Sequence, residues 1–231
     1  MAQAAEVRAF VTGAARPMYD LLVPQFERST GHKLVTTSAL PPELVAKVEA
    51  SEPFDVIVLS YDVEALIKKG LIEASSRTVL GQTGIGVAIH QGSPKPDFGT
   101  VEKFKAMLLN AKSLATSGEG SSGRYVASLV ERLGIADQVK PKIKSGGPGS
   151  SAKMLSAGEV DLVVSGLPPL LGKPNIEWLG LIPEEINSFV VFTGGLSTHA
   201  KEPEAGRALL RHLASPEAKA VYKAKGLDPA P

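Results

Sequence analysis

The sequence predicts an α/β fold built on a parallel sheet, and three observations lead to that prediction. Short apolar runs, which are typical of buried strands, alternate with stretches in which apolar residues recur at helical spacing. The links between these stretches are short, as they are in strand–helix–strand units. The segment 54–59 ends in an unbroken apolar run, which is typical of a central parallel strand that is covered on both faces.

The first third of the chain contains repeated strand–helix units. Strands are predicted at residues 7–11, 33–37 and 54–59. The helices that follow them are predicted from helically spaced apolar residues and from the proline and glycine signals at their ends. They comprise a helix from Pro17 to about Gly31, a helix around Leu44 and Val48, and a helix at 62–69 that is closed by Gly70.

The rest of the chain continues the alternation with less regular links. Residues 75–84 are polar and are predicted to be irregular, and residues 91–99 form a loop with two prolines and two glycines. Further strands are predicted at residues 85–90, 113–116, 140–145, 160–164 and 189–192. Helices are predicted at 101–109 behind a Thr100 cap, from about 122 to Gly134, around Met154 and Leu155, at 202–214, and from 216 to Gly226.

A turn of small residues joins strand to helix near positions 12, 38, 116, 147 and 165. The turn after 113–116 is the most informative, because it contains glycines and serines and no large apolar side chain. Glycine lets backbone N–H groups approach a ligand closely, serine donates hydrogen bonds, and a helix start adds unpaired N–H groups and a positive dipole end. Together these features suit a small anion. By itself the turn is equally compatible with an ordinary loop that ends in a serine cap.

The polar residues of these turns lie at the carboxyl ends of predicted strands, where open α/β sheets bind their ligands. Two turns also have an arginine beside them, which either faces solvent or opposes a helix dipole that a bound anion would relieve. Tyr125 suits a cleft-lining position and a packing position equally. The candidate ligand-binding residues are Thr12, Gly13, Ala14, Arg16 and Ser38 in the first part of the chain, and Thr116, Ser117, Ser121, Ser122, Gly123, Arg124, Tyr125 and Ser165 in the second.

The composition excludes several classes of protein. A formal net charge of +1 gives no signature of polyanion binding, and an aromatic content of 5% argues against a base-stacking surface, so no nucleic-acid partner is expected. The chain has no cysteine, which excludes disulfides and thiolate chemistry. No apolar run reaches the roughly 18–20 residues that are needed to cross a membrane.

No cofactor and no metal are expected from the motifs. The phosphate loop of nucleotide triphosphatases is absent. The pattern Gly118-x-Gly120-x-x-Gly123 matches the dinucleotide-binding fingerprint, but it does not follow the first strand as that fingerprint normally does. The four histidines lack the spacing of a metal-binding pair on one helix face, and we expect solvated side chains at His32, His90, His199 and His212.

Motifs that are spread along nearly the whole chain carry a family resemblance. They are the segment 7–12 with its Gly/Ala turn, Phe26-Glu27-x-x-Thr30-Gly31, Pro53-Phe54-Asp55-Val56, Leu66-x-x-x-Gly70-Leu71-Ile72, Ala157-Gly158-Glu159-Val160-Asp161, and Leu213-Ala214-Ser215-Pro216-Glu217-Ala218. In this order they resemble the type II periplasmic solute-binding proteins of ABC transporters, within the group that is similar to molybdate-binding proteins.

The resemblance implies two Rossmann-like α/β lobes, residues 1–82 plus 193–231 and residues 83–192, with a ligand cleft between them. It implies that hydroxyls and backbone N–H groups at helix starts hold a small oxyanion or carboxylate there. It also implies a monomer that works in the periplasm with an ABC permease as its membrane partner. Ala2-Gln3-Ala4 looks like the end of a removed signal peptide, so we expect an exported, mature chain with an added first Met.

Two departures from the molybdate binders indicate a different ligand. Thr12-Gly13-Ala14-Ala15-Arg16 replaces their Ala-Ser-Ser-like turn, and Ser165-Gly166-Leu167 lies where they commonly have a tyrosine. Arginines near the turns favour a carboxylate, which they pair with in a bidentate manner.

A narrower resemblance points to an alternative function. Gly84-Ile85-Gly86-Val87-Ala88, Pro94-Lys95-Pro96-Asp97 and Leu109-x-Ala111-Lys112-Ser113 are similar to a branch that includes periplasmic aconitate isomerases. That resemblance implies a proton shift across an unsaturated polycarboxylate, for which Glu119 and His90 are conceivable acid or base groups.

Overall fold

The computed structural model describes residues 4–61 and 63–230. The chain divides into two compact units: unit 1 comprises Met1–Gln82 and Val191–Pro231, and unit 2 comprises Thr83–Val190. Residues 2 and 3 of the Ala-Gln-Ala segment lie outside the described residues, and so does Asp62, at which a helix was predicted to begin.

Strands and helices alternate along most of the described chain. The strands are β1 (Glu6–Thr12), β2 (Lys33–Ala39), β3 (Val56–Leu59), β4 (Thr78–His90), β5 (Leu114–Ala115), β6 (Ile143–Lys144), β7 (Leu162–Gly166), β8 (Ile176–Leu181), β9 (Phe189–Leu196) and β10 (Asp228–Pro229). The helices are α1 (Arg16–Thr30), α2 (Pro41–Glu49), α3 (Glu64–Lys68), α4 (Val101–Asn110), α5 (Ser121–Arg132), α6 (Ala136–Val139), α7 (Ser150–Ser156), α8 (Pro203–Leu213) and α9 (Pro216–Ala224).

In the sheet of unit 1, strand β1 lies between β2 and β3. β1 pairs in parallel with β2 on one side and with β3 on the other, and β3 pairs antiparallel with β9. Phe10 of β1 stacks on Phe54 with 5.0 Å between the ring centroids, and Leu44 and Val48 of α2 belong to the same buried cluster. Helix α1 lies on the opposite face of the sheet. Phe10 is in register with Thr37 of β2, and the side chain of Thr36, next to it, points to the other face. There the hydroxyl of Thr36 forms a hydrogen bond with the hydroxyl of Tyr19 in α1.

Unit 2 is built in the same way around β7. Strand β7 pairs in parallel with β5, which pairs in parallel with β6, and the other edge of β7 pairs antiparallel with β4. Strand β4 then pairs antiparallel with β8. Ala152 and Leu155 of α7 pack against Val163 and Ala115 in a buried cluster. The α/β prediction is therefore confirmed. The predicted parallel pairing is present among β1, β2 and β3 and among β5, β6 and β7, and antiparallel strands extend the sheet in both units.

The prediction of an irregular segment at 75–84 is wrong for most of its length. Only 74–76 forms a short 3₁₀ turn, and β4 is already extended from Thr78. Gly81 and Gln82 pair with Pro229 and Asp228 of β10, almost at the other end of the chain. Because that pairing partner is remote, the polar segment carries no local sign that it is a strand.

Two of the four histidines are not solvated as expected. His32 is 9% exposed, and its Nδ1 accepts a hydrogen bond of 3.1 Å from the backbone N–H of Ala5. His212 Nε2 lies 3.1 Å from the carbonyl oxygen of Leu22. The two rings pack against Phe26, at 5.9 and 5.6 Å between centroids. Both histidines are therefore part of the packing of α1 in unit 1.

A buried tyrosine makes the folded protein sensitive to alkali. Burial raises the pKa of Tyr19 from 10.0 to about 12, and its hydrogen bond with Thr36 offsets only part of that effect. The unfolded phenol ionises near pH 10, so above that pH the unfolded state has lost a proton that the folded state still holds. The stabilisation is complete below pH 10 and is lost as the pH rises toward 12, by roughly 2–3 kcal/mol for two pKa units.

We therefore expect Tyr19→Phe to flatten the decline in the free energy of unfolding between pH 10 and pH 12, as measured by urea denaturation. Part of the decline should remain, because burial also raises the pKa of Tyr222. A variant whose stability falls as steeply as that of the wild type over this range would contradict the assignment to Tyr19.

Candidate functional site

The carboxyl ends of β5, β6 and β7 meet at one edge of the unit 2 sheet. The three strands run parallel, with Leu114 of β5 in register with Ile143 of β6 and with Leu162 of β7. Strands β5 and β6 leave this edge into turns rich in serine and glycine, and β7 ends at it with Ser165 and Gly166. Strand β4 runs the other way, so its Thr83–Ile85 end reaches the same edge, where Ile85 pairs with Gly166. Serine, threonine and glycine are therefore the most frequent residues at this edge.

Three serines, from the turn after β5, the first turn of α5 and strand β7, form a chain of hydroxyl groups. Ser117 Oγ lies 2.9 Å from Ser122 Oγ, and Ser122 Oγ lies 3.3 Å from Ser165 Oγ. Ser117 Oγ also accepts a hydrogen bond of 2.8 Å from the backbone N–H of Gly123, in the first turn of α5. Ser117, which lies four residues before the first residue of α5, thus caps this helix. The pairing of β5 with β7 brings Ser165 close to Ser122.

The glycines of the turn allow its close approach to the helix. A Cβ atom on Gly123 would lie 2.1 Å from the carbonyl oxygen and 2.5 Å from the amide nitrogen of Gly118. Gly118 itself has φ +55°, in the left-handed region. The Gly-x-Gly-x-x-Gly pattern therefore packs a turn against a helix start at this position.

The remaining predicted residues of unit 2 have different surroundings. Thr116 is 2% exposed, and its Oγ1 accepts a hydrogen bond of 3.2 Å from the N–H of Gly118. Ser121 is the first residue of α5, and Arg124 is exposed on its first turn. The hydroxyl of Tyr125 donates to the carbonyl oxygen of Ile186 and accepts a hydrogen bond of 3.0 Å from Arg132 Nη2. Tyr125 therefore fastens α5 to the segment before β9 and takes no part in the serine chain.

The predicted residues of unit 1 lie at the corresponding edge of its own sheet. Thr12 ends β1 with 1% exposure, and Ser38, the next-to-last residue of the neighbouring β2, is exposed. Gly13 and Ala14 form the 3₁₀ turn between β1 and α1. Arg16 Nε donates to Asp20 Oδ1 at 2.7 Å, so Asp20 already balances part of the charge that was expected to attract an anion.

Sequence reasoning missed several hydroxyls at these two edges. Ser60 follows β3 directly with 2% exposure, and Thr193 of the paired β9 is fully buried with its Oγ1 donating to Tyr61 O at 2.8 Å. In unit 2, Ser150 Oγ is buried without a hydrogen-bond partner among the described residues. The available signal for Ser60 was its position at the carboxyl end of a buried strand, which it shares with Thr12 and Thr116.

The two conceivable acid or base groups of unit 2 are far apart in the fold. Glu119 is exposed within the turn before α5. His90 ends β4 next to Ile89, which pairs with Leu162 at the amino end of β7 and therefore at the opposite edge of the sheet. A cavity of about 490 Å³ at that opposite edge is lined by Ile89, Met107 and Leu162, among others, and contains none of the predicted ligand-binding residues.

Neither a metal site nor a membrane span emerges from the part of the chain that the structure describes. Among residues 4–61 and 63–230, no three histidine, cysteine or acidic side chains are placed to hold a metal ion together. No described helix combines the length and the apolar character that crossing a membrane requires.

Comparison with known proteins gives a consistent family. The family of bacterial extracellular solute-binding proteins matches residues 7–228. An aconitate isomerase from a Pseudomonas species is 30% identical over 217 residues, which cover 91% of this chain and 82% of that protein. The molybdate-binding protein ModA of Azotobacter vinelandii is 26% identical over 231 residues, which cover 97% of this chain and 90% of that protein.

The solved structure of the periplasmic molybdate-binding protein of Azotobacter vinelandii has the same fold. It aligns with a TM-score of 0.78 and 18% identity over 96% of this chain and 98% of that chain. The predicted fold class, that of the type II periplasmic binding proteins, is therefore confirmed. Because the family match spans almost the whole sequence, the chain belongs to the bacterial extracellular solute-binding proteins.

Proposed function

We propose that this protein captures a small anion in the periplasm and delivers it to an ABC permease. The observation that supports this proposal most strongly is the chain of serine hydroxyls at the start of α5, in a member of a solute-binding family. Hydroxyls, backbone N–H groups and a helix dipole all favour negative charge, and none of them titrates at neutral pH. The arrangement therefore suits an oxyanion or a carboxylate.

A carboxylate is the ligand class that we favour. Arg124 lies on the first turn of α5, and its planar guanidinium can pair with both oxygens of a carboxylate. The ligand-contacting residues that we propose in unit 2 are Thr116, Ser117, Ser121, Gly123, Arg124 and Tyr125, and Ser122 and Ser165, predicted as ligand-binding residues, are proposed to act by holding Ser117 in place. Those predicted in unit 1, namely Thr12, Gly13, Ala14, Arg16 and Ser38, remain predictions.

A panel of anions tests the ligand class. A ligand that binds only the folded state raises the midpoint of thermal unfolding, so molybdate, tungstate, sulfate, succinate, citrate and trans-aconitate should be compared at equal concentration. We expect a di- or tricarboxylate to give the largest rise. A rise with molybdate alone would assign the protein to the oxyanion binders, and no rise with any member would contradict anion capture.

The role of Arg124 can be tested by substitution. We expect Arg124→Ala to weaken binding of the best carboxylate of the panel more than tenfold, because a charge-assisted bidentate pair contributes at least about 1.4 kcal/mol. Isothermal titration calorimetry measures the change, and Arg28→Ala, at the exposed end of α1, is the control that leaves affinity unchanged. An unchanged affinity in Arg124→Ala would remove this residue from the proposed site.

A second candidate function is the isomerisation of an unsaturated tricarboxylate. The observation that favours it is the 30% identity to an aconitate isomerase across 91% of this chain. Such a reaction removes a proton at one carbon and returns one at another, so it needs a positioned base, and Glu119 is the carboxylate of the turn before α5. Incubation of the protein with trans-aconitate, followed by chromatography for the cis isomer, separates the two functions. Tight binding without conversion supports capture alone, and conversion that Glu119→Gln abolishes supports the enzyme.

A further inference from the structure

The chain of three serines in unit 2 has one more hydroxyl proton than it has hydrogen-bond acceptors within the described residues. Ser117, Ser122 and Ser165 each have one hydroxyl proton, and the three oxygens are joined by only two contacts, of 2.9 and 3.3 Å. The only other hydrogen bond to these hydroxyls within the described residues is the one that Gly123 N–H donates to Ser117 Oγ. One of the three hydroxyl protons therefore has no acceptor in the described part of the protein.

Burial decides which of the three protons is left over. Ser165 is 2% exposed and Ser122 is 8% exposed, whereas Ser117 is only half-buried. A buried hydroxyl proton without an acceptor is unfavourable, because it has lost its bond to water and gained none. If Ser117 donated to Ser122 and Ser122 to Ser165, the buried Ser165 proton would be stranded. If Ser122 accepted from both neighbours, its own buried proton would be stranded.

In the remaining arrangement, the hydroxyl proton without an acceptor belongs to Ser117, at the accessible end of the serine chain. Ser165 donates to Ser122, Ser122 donates to Ser117, and Ser117 directs its proton outward. In this arrangement both lone pairs of Ser117 Oγ are already used, one by Gly123 N–H and one by the Ser122 hydroxyl. Ser117 can then donate a hydrogen bond to a ligand but cannot accept one.

We propose that Ser122 and Ser165 are positioning residues that hold Ser117 as an obligatory donor, so that the site selects a deprotonated ligand oxygen. The inference rests on the proposed capture of an anion at the start of α5 and specifies its chemistry there. A protonated carboxylic acid, an alcohol or an amide N–H that faced Ser117 would meet no available lone pair. Because hydroxyls in such a chain polarise one another, Ser117 also becomes a stronger donor than an isolated serine.

The test compares how affinity depends on pH in serine variants, with trans-aconitate as the probe and calorimetry as the measurement. Carboxyl groups titrate near pH 4, so the probe carries protons at pH 4.5 that it lacks at pH 7. We expect Ser117→Ala to weaken binding at pH 7 about tenfold. Ser122→Ala frees a lone pair on Ser117. The affinity of this variant at pH 7 should change less than threefold. Its loss of affinity between pH 7 and pH 4.5 should be at least fivefold smaller than the loss in the wild type.

Ser128→Ala is the matched control, because Ser128 is exposed on the same helix. It should reproduce both the affinity and the pH profile of the wild type, and circular dichroism should show that all variants remain folded at both pH values. If the wild type binds and Ser117→Ala binds equally well, or if Ser122→Ala keeps the pH profile of the wild type, the obligatory-donor role is wrong while anion capture stands. If the wild type binds no anion of the panel, the proposed function fails and this inference fails with it.

Discussion

Replacement of Gly123 with alanine is expected to abolish ligand binding and to destabilise unit 2. The added Cβ would lie 2.1 Å from the Gly118 carbonyl oxygen, a backbone atom that cannot rotate away as a side chain could. Overpacking of this kind typically costs about 1–3 kcal/mol. The turn must move away from α5 to relieve the clash, and this breaks the hydrogen bond from Gly123 N–H to Ser117 Oγ. We expect affinity for the best ligand of the panel to fall at least a hundredfold.

Gly147→Ala is the matched control for Gly123→Ala. Gly147 lies in the neighbouring turn between β6 and α7, where a Cβ would have no atom within 4 Å. The control should keep both its thermal midpoint and its affinity. Wild-type affinity in Gly123→Ala, measured by calorimetry, would show that the turn before α5 is not part of the ligand site.

Replacement of Asp55 with asparagine is expected to have the largest effect on stability. Asp55 is 2% exposed, and its two oxygens accept three backbone hydrogen bonds. Oδ2 accepts from Arg8 at 2.8 Å, and Oδ1 accepts from Lys201 at 2.7 Å and from Glu202 at 3.0 Å. The carboxylate thereby joins β1 to the start of α8 within unit 1. Asparagine offers one oxygen and one NH₂ group, so at least one of these N–H groups would face a donor.

The expected loss in the free energy of unfolding is roughly 3–4 kcal/mol, from one lost charge-assisted bond and one buried donor left unpaired. Urea denaturation measures it. Asp161→Asn is the matched control from unit 2, because a single oxygen of Asp161, Oδ2, accepts from both Lys112 N and Ser113 N. An amide oxygen can replace it there, so the effect should be much smaller. Equal losses in the free energy of unfolding would contradict the importance of having an acceptor at both carboxylate oxygens of Asp55.

These two aspartates explain two of the motifs on which the family resemblance rested. Asp55 belongs to Pro53-Phe54-Asp55-Val56, and Asp161 ends Ala157-Gly158-Glu159-Val160-Asp161. Each lies just before a central strand and binds backbone N–H groups of another segment. The resemblance therefore records a recurring way of fastening a strand within each unit, and it carries no direct information about the ligand.

Local signals predicted most of the secondary structure. The Thr100 side chain accepts a hydrogen bond of 3.3 Å from Lys103 N–H, as a helix cap should. Gly31 and Gly134 follow helices with φ of +78° and +68°, a region that favours glycine. These features depend on residues a few positions apart, so they can be recognised from the sequence. The start of β4 could not be recognised, because its partner strand β10 lies about 146 positions further along the chain.

The sequence by itself determined the alternation of strands and helices, the family, and the small-residue turn that begins α5, since each depends on neighbouring residues or on motifs in order. Only the tertiary structure decided which hydroxyls act together. Ser165 meets Ser122 across 43 positions because β7 pairs with β5, and that pairing is a long-range property of the sheet. It also decided that Tyr125 bonds to Ile186 and that Ser117 lies at the accessible end of the serine chain, because burial and hydrogen-bond direction exist only in the folded molecule.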